Sequence, residues 1–388
     1  MGKKKLVVIW PYRFREFDWS RLELGELEEF CEIEVFDLAY FLNRRVIDKY
    51  SVGATRREVM QLSSYLELFR EIKKLRRTNS VDVTIMSFVR ESTFRSLACA
   101  TLLKFGKSKI IWYLSGGNVP RVHSWTAIWL QRLKLYDSVH FLLRLRFLFC
   151  RPNAVLVGSQ ASSRIADILL PKQVKRIWGS SDDFSTFLKF DESKRVSQEV
   201  TKFGLYVDQG FPFFSTDLDS IKGSHVLTAD DWYPKLNSFF EFVATSLGFS
   251  IRISAHPKHF HFDFSPIFNN RKVGFGDTVS QISYSQIVIA VSSTAISYAV
   301  LFLKPLVLVV SDQLLLFPYL RASVTRISVE TGARIFNIDR EYTEQDLREA
   351  MVIDHAKYES YKRKYLTSRT DGKPNYQVLL DEVIFAED

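Results

Sequence analysis

A short apolar, β-branched run, Gln286-Ile-Val-Ile-Ala-Val291, breaks at once into three hydroxyl residues, Ser292, Ser293 and Thr294. Few patterns restrict a fold as strongly. A run of that length and composition forms a fully buried strand of the kind found in parallel sheets. Residues 295–303 then read as an apolar helix stopped by Lys304-Pro305, and residues 306–310 as the next strand. The turn between strand and helix gathers hydroxyls and first-turn N–H groups that have no intrahelical partner, at the positive end of the helix dipole. Such a turn suits an anion, and phosphate is the expected one. Ordinary N-capping needs one of the three hydroxyls and leaves two unexplained.

The same alternation runs through the rest of the chain. In the front half, strands are expected at 5–10, 32–37, 81–88, 109–114 and 154–158, with a helix at 19–30 and a long polar helix at 55–78. Residues 191–202 are polar and charged without an apolar stripe, which marks a linker. A second series follows: a strand at 203–208, a helix at 233–247, a strand at 250–255, and the unit described above. Residues 343–385 read as helices around a loop at 371–374. Strands separated by helices imply parallel sheets. The expectation is therefore α/β, with two Rossmann-like domains (1–195 and 203–342), a cleft between them, and C-terminal helices over 343–388.

At 388 residues the chain exceeds what one hydrophobic core usually organises. With 46% hydrophobic and 25% charged residues it has the composition of a folded protein. Its net charge of +9 favours anionic partners. The basic residues are scattered and match no nucleic-acid-binding signature, so nucleic acid is not expected. Cys31, Cys99 and Cys150 form neither a disulfide framework nor a zinc pattern, which points to a reducing cytoplasm. The basic then apolar start, residues 1–10, carries only five apolar residues before Pro11 and reads as a strand rather than a leader. Residues 125–150 are aromatic and aliphatic but interrupted by Arg132, Lys134, Arg144 and Arg146. They are too charged to span a bilayer. Two readings stand: an interfacial segment touching the inner membrane surface, or a buried helix pair with cationic ends.

Ligands of open α/β sheets sit at the carboxyl ends of strands, and three polar signals lie there in the second domain: Asp208, His256 and Ser292. His256 follows a buried strand, with Pro257 restricting the backbone and Lys258 adding charge. It is suited to a leaving phosphate, or, more plainly, to a backbone carbonyl. Asp208, in Gly204-Leu-Tyr-Val-Asp208-Gln-Gly210, is either a general base or a turn residue capping its own loop. Glu91 and His123 are alternative bases, and Gly116-Gly117 a loop permissive enough to approach a ligand on the acceptor side. His259 and His261 lack the carboxylate or thiolate partners of a metal site. Asp182-Asp183 and Asp230-Asp231 lack metal-binding spacing and read as helix-start or turn residues. No metal and no cofactor are expected.

His256-Pro257 after a strand, with Ser292-Ser293-Thr294 before a helix that ends at Lys304-Pro305, resembles the GT-B superfamily of glycosyltransferases. The pattern looks most like the bacterial capsule and lipopolysaccharide enzymes that use CMP-activated acidic sugars, of polysialyl- and Kdo-transferase type. The resemblance covers roughly residues 203 to 310. It implies a nucleotide-sugar donor, its phosphate held by His256, Pro257, Lys258 and the Ser292 group, and a glycan or glycolipid acceptor deprotonated by an acidic residue. It also implies metal-free inversion; the expected place is the cytoplasm, at the cytoplasmic face of the inner membrane where residues 125–150 form the interfacial segment. The family's acidic motif has no clear counterpart here, and Asp208 stands in for it. Teichoic-acid-type transferases of CDP-polyol share the same two motifs, and a non-catalytic nucleotide-binding scaffold would keep the same shape.

Overall fold

The computed structural model describes residues 4–42, 56–75, 83–89, 94–106, 108–114, 151–170, 172–190, 202–213, 227–255 and 262–386. Their strands form two parallel sheets, each in its own compact unit. The first unit takes in the described residues up to 188 and those from 367 onward; the second takes in those from 189 to 366. Each is a Rossmann-like α/β unit.

The first sheet holds β1 (Lys4–Trp10), β2 (Cys31–Asp37), β3 (Val59–Gln61), β4 (Val83–Ser87), β5 (Lys109–Leu114), β6 (Ala154–Val157) and β7 (Lys175–Trp178). They lie in the order β3-β2-β1-β4-β5-β6-β7. Along β1, Val7 and Ile9 enter one core with Leu68 and Ile72, while Leu6 and Val8 enter another with Val378 and Val383. Both faces are covered, so the strand reads as one continuous apolar run instead of an alternating one.

Two expectations change here. Residues 55–78 are not one helix: Val59–Gln61 pairs in parallel with β2, and only Tyr65–Leu75 is helical. The free edge of β2 supplies partners for that backbone, and no local periodicity announces them. Residues 19–30 likewise divide into helices Glu16–Arg21 and Leu24–Glu28. The break is Glu23, at φ 57°, whose buried carboxylate accepts from the Ser185 hydroxyl at 2.7 Å and the Tyr376 N–H at 2.8 Å.

The second bond belongs to a clasp that ties the chain's end to the first sheet. Asn375, 2% exposed, accepts from the Ser180 N–H at 2.8 Å and donates to the Ser180 carbonyl at 2.9 Å and the Tyr113 hydroxyl at 3.1 Å. Its own N–H donates to the Ser185 hydroxyl at 2.8 Å. Gly179 has no side chain because there is no room for one: a Cβ would lie 2.7 Å from the Asn375 Oδ1.

The second sheet holds β8 (Phe203–Val207), β9 (Ser250–Ala255), β10 (Val273–Phe275), β11 (Ile287–Ala290), β12 (Leu306–Val310) and β13 (Arg334–Asn337). The order is β10-β9-β8-β11-β12-β13. From β8 the chain adds β9 and β10 to one side, then places β11 on the other. The order therefore reverses between β8 and β11. The 19-residue helix Ala229–Leu247 spans one face, setting Phe240 against Tyr206 of β8 and Phe239 against Phe336 of β13, before Gly248 ends it at φ 71°. Among the described residues no helix is long and apolar enough to cross a membrane. Residues 125–150 lie outside them.

Candidate functional site

The reversal between β8 and β11 is a topological switch point, the place at the carboxyl edge of an open α/β sheet where ligands are generally received. In register, Val207 of β8 stands opposite Ala290 of β11. Two residues further on, the chain reaches Gln209 on one side and Ser292 on the other. The Ser292 N–H donates to the Gln209 Oε1 at 2.8 Å, and the Gln209 amide lies 3.5 Å from the Ser292 hydroxyl.

Beyond Ser292 the turn closes on itself. The Ala295 N–H donates to the Ser293 hydroxyl at 3.2 Å, and the Ile296 N–H to the Ser293 carbonyl at 3.3 Å. The helix that follows is Ile296–Leu301, six residues, with Ala295 as its cap. It is shorter than the expected 295–303, because Leu303 takes a left-handed φ of 51° and the Lys304 N–H turns back to the Ala299 carbonyl at 2.8 Å. A helix this short contributes little dipole. What the turn offers is local: the N–H groups of Ser293 and Thr294, which have no acceptor among the described residues, and the hydroxyls of Ser292 and Thr294.

Asp208 sits at the end of β8, as the sequence indicates, but its side chain faces into the unit. It is 2% exposed, and neither carboxylate oxygen has a hydrogen bond of good geometry among the described residues. Burial pushes the carboxyl up to about 7; the nearby N–H groups of Gly210 and Gln209 and the Tyr206 hydroxyl oppose the rise. A carboxyl in such a place is held neutral more readily than charged. Tyr206, wholly buried on the same face of β8, is raised well above the usual phenol range by burial first and by the Asp208 charge second. Tyr233 is raised for the same two reasons, and its hydroxyl donates to the Phe211 carbonyl at 2.6 Å. The Asp208 N–H donates to the Ser254 carbonyl at 2.9 Å, tying the loop to β9. Gly210, at φ 74°, supplies the left-handed turn that carries the chain away.

The structure thus brings the carboxyl ends of β8 and β11 together and turns Asp208 inward. His256, Pro257 and Lys258, with His259 and His261, lie outside the described residues, directly after β9. Glu91, Gly116, Gly117 and His123 lie outside them as well. Gln209 is the residue that sequence reasoning missed; its signal was a polar side chain one position past a strand-end carboxylate. Asp182 and Asp183 open the helix Asp182–Leu188, and Asp230 and Asp231 stand in the first turn of Ala229–Leu247, where Asp231 pairs with Lys235 at 2.6 Å. Among the described residues no group of three or more His, Cys, Asp or Glu side chains could hold a metal ion.

Neither a protein-family model nor a curated protein matches the sequence. Among solved structures, the UDP-GlcNAc 2-epimerase from Methanocaldococcus jannaschii aligns with a TM-score of 0.51 at 11% identity, over 97% of this chain and 98% of that one. The S. aureus MnaA–UDP co-structure aligns at 0.49 and 11% identity over 98% and 96% of the two chains. MurG from Acinetobacter baumannii aligns at 0.45 and 9%, over 98% and 99%. At 11% identity the likeness to the Methanocaldococcus jannaschii structure is one of fold alone: two Rossmann-like domains of GT-B type over nearly the whole chain.

Proposed function

We propose that the chain is a GT-B-type nucleotide-sugar enzyme: an inverting, metal-independent glycosyltransferase that moves an acidic sugar from a CMP donor onto a surface-glycan or glycolipid acceptor. The observation that carries the reading is the joining of Gln209 and Ser292 across the switch point of the second sheet. That junction leaves the N–H groups of Ser293 and Thr294 at the carboxyl edge, where a nucleotide phosphate would be received. The aligned 2-epimerase from Methanocaldococcus jannaschii is named for UDP-GlcNAc, which supports a nucleotide-sugar ligand in general; the CMP preference rests on the sequence resemblance.

In this reading the acceptor oxygen attacks the anomeric carbon and loses its proton to a base, while the nucleotide phosphate departs with the bonding electrons. The turn's N–H groups and hydroxyls, with His256 and Lys258, balance the charge that develops on the leaving phosphate. Asp208, 2% exposed, would have to swing outward to meet an acceptor hydroxyl, so Glu91 and His123 gain weight as the base. The same burial favours a second reading, a nucleotide-binding scaffold without turnover. The enzyme would work in the cytoplasm, with residues 125–150 touching the inner membrane surface; failure to float with anionic vesicles would remove that contact.

The experiment is thermal stabilisation of the purified protein by CMP, CDP, UDP, GDP and ADP, with and without EDTA. A ligand at a hundred times its dissociation constant stabilises by about 2.7 kcal/mol. Selective, EDTA-indifferent stabilisation by CMP is expected. Selection of CDP would favour polyol-phosphate transfer, and of UDP a conventional sugar donor. Indifference to all five would sink the proposal. Binding without turnover of any sugar donor would leave the scaffold.

A further inference from the structure

Gln209 is held in place from several directions. The residue before it is buried and tied to β9 through the Ser254 carbonyl; the residue after it is a glycine at φ 74°; and the next carbonyl receives the Tyr233 hydroxyl at 2.6 Å. Tyr206 in β8 and Asp208 just past its end are buried, whereas Gln209 is half-buried and reaches across to the segment that follows β11. There its carboxamide meets an N–H group at 2.8 Å. An N–H can only be met by an acceptor, so the amide's oxygen is the atom that faces Ser292. This bond joins two segments 83 residues apart, at the one place in the sheet where the strand order reverses.

We infer that Gln209 is the positioning residue of the Ser292 turn: its carboxamide occupies the first N–H of the turn and so sets the direction in which the N–H groups of Ser293 and Thr294 face. This deepens the proposed function and rests on it for the identity of the ligand. Without the amide, the Ser292 N–H would compete for whatever the turn binds or reorient toward water. The exposed Thr294 and the half-buried Ser292 and Ser293 would lose their common frame. Gln209 also lies beside the turn itself, which makes it sensitive to charge. A carboxylate at this position would keep the bond to Ser292 while placing a negative charge against an anion's seat.

Two variants separate these effects. Gln209→Glu preserves an acceptor for the Ser292 N–H; Gln209→Ala removes it. Backbone amide exchange at Ser292 reads the bond, and thermal stabilisation by CMP and by UDP reads the ligand. Exchange at Ser292 is expected to stay as slow as wild type in Gln209→Glu and to accelerate at least tenfold in Gln209→Ala. Nucleotide affinity is expected to fall about tenfold or more in both, with Gln209→Glu keeping the wild-type melting temperature in the absence of nucleotide. That combination is one a merely structural glutamine would not produce. Wild-type affinity in Gln209→Glu, or wild-type exchange and affinity in Gln209→Ala, would overturn the inference. If the wild-type protein answers to no nucleotide, the proposed function falls, and exchange at Ser292 alone decides whether Gln209 positions the turn.

Discussion

Tyr206 of β8 and Asp208, the residue just past that strand's end, stand two apart in an extended segment and face the same side of the second unit, where the phenol hydroxyl and the carboxyl lie buried without a well-formed hydrogen bond among the described residues. Buried polar groups ordinarily find partners, and a pair without them makes the surrounding loop sensitive to its protonation.

The pH dependence follows from that placement. The Asp208 carboxyl is raised from its ordinary 3.8 to about 7 by burial. Between those values the unfolded chain has released a proton that the folded chain still holds. Stability from this group is complete below about pH 4 and falls by about 1.4 kcal/mol for each unit of pH up to about 7, then levels off. Asp208→Asn cannot ionise. It should unfold at higher urea than wild type at pH 8 and lose that advantage at pH 4. Parallel urea midpoints for the two proteins across pH 4 to 8 would remove Asp208 as a buried titrating group.

How much of this could be seen in the sequence depends on which side of a strand is covered. The bounds of Lys109–Leu114, Ser250–Ala255 and Leu306–Val310 agree with expectation; the first and last are central parallel strands buried on both faces, which leaves a nearly unbroken apolar run, and the second alternates Ile251 and Ile253 with polar residues. The strands nearest the sheet edges were missed: β3, β7, β10 and β13 are three or four residues long, partly exposed, and carry sequences such as Lys175-Arg-Ile-Trp178 and Arg334-Ile-Phe-Asn337. Such strands are specified by the neighbour they pair with, which local composition does not record. At the site, the strand-end positions of Asp208 and Ser292 could be read directly. That β8 and β11 are neighbours could not, since strand order is a tertiary property. The role of Gln209 was hidden with it.

Gly204 offers a stability test at the centre of the second sheet. A Cβ there would lie 2.7 Å from the Ile251 Cδ1 and 2.9 Å from the Ile287 Cγ2, with the Phe249 ring 3.0 Å away. Ile251 and Ile287 belong to the strands on either side and are 3% and 0% exposed. The Ile251 tip can rotate, whereas the Ile287 methyl branches from Cβ and moves only if χ1 leaves its preferred rotamer in a fully buried site. Overpacking of this kind costs about 1–3 kcal/mol. Gly204→Ala should therefore lower the urea midpoint by an amount in that range. An unchanged midpoint would mean that β8 has more room than the two isoleucines leave it.

The tail clasp predicts that two distant substitutions behave alike. Asn375→Ala strips three side-chain hydrogen bonds from a site 2% exposed and leaves the Ser180 N–H and carbonyl without that partner, a loss of about 3 kcal/mol. Gly179→Ala drives a methyl into the same Asn375 Oδ1 and should dislodge the residue without deleting it. Both variants should release the segment from residue 367 onward to limited proteolysis faster than wild type. If Gly179→Ala resists the protease as wild type does, the close approach of Asn375 to Gly179 is not what holds the tail.

The two cysteines among the described residues give a test of core integrity. Cys31 and Cys99 are 1% and 0% exposed, and burial pushes the Cys99 thiol up to about 12. The thiolate is the reactive form, so at pH 7.5 Cys99 is doubly protected, by access and by protonation. Iodoacetamide applied to the native protein should spare both residues, as read by peptide mass mapping, and modify both once urea has unfolded the chain. Because the two sit in different cores of the first unit, on opposite sides of its sheet, they report separately. Labelling of Cys99 alone under native conditions would show that the face carrying Leu68 and Ile72 opens independently of the one carrying Leu6 and Val8. Labelling of both at the rate of global unfolding would show that the sheet and its two coverings open as a single cooperative body.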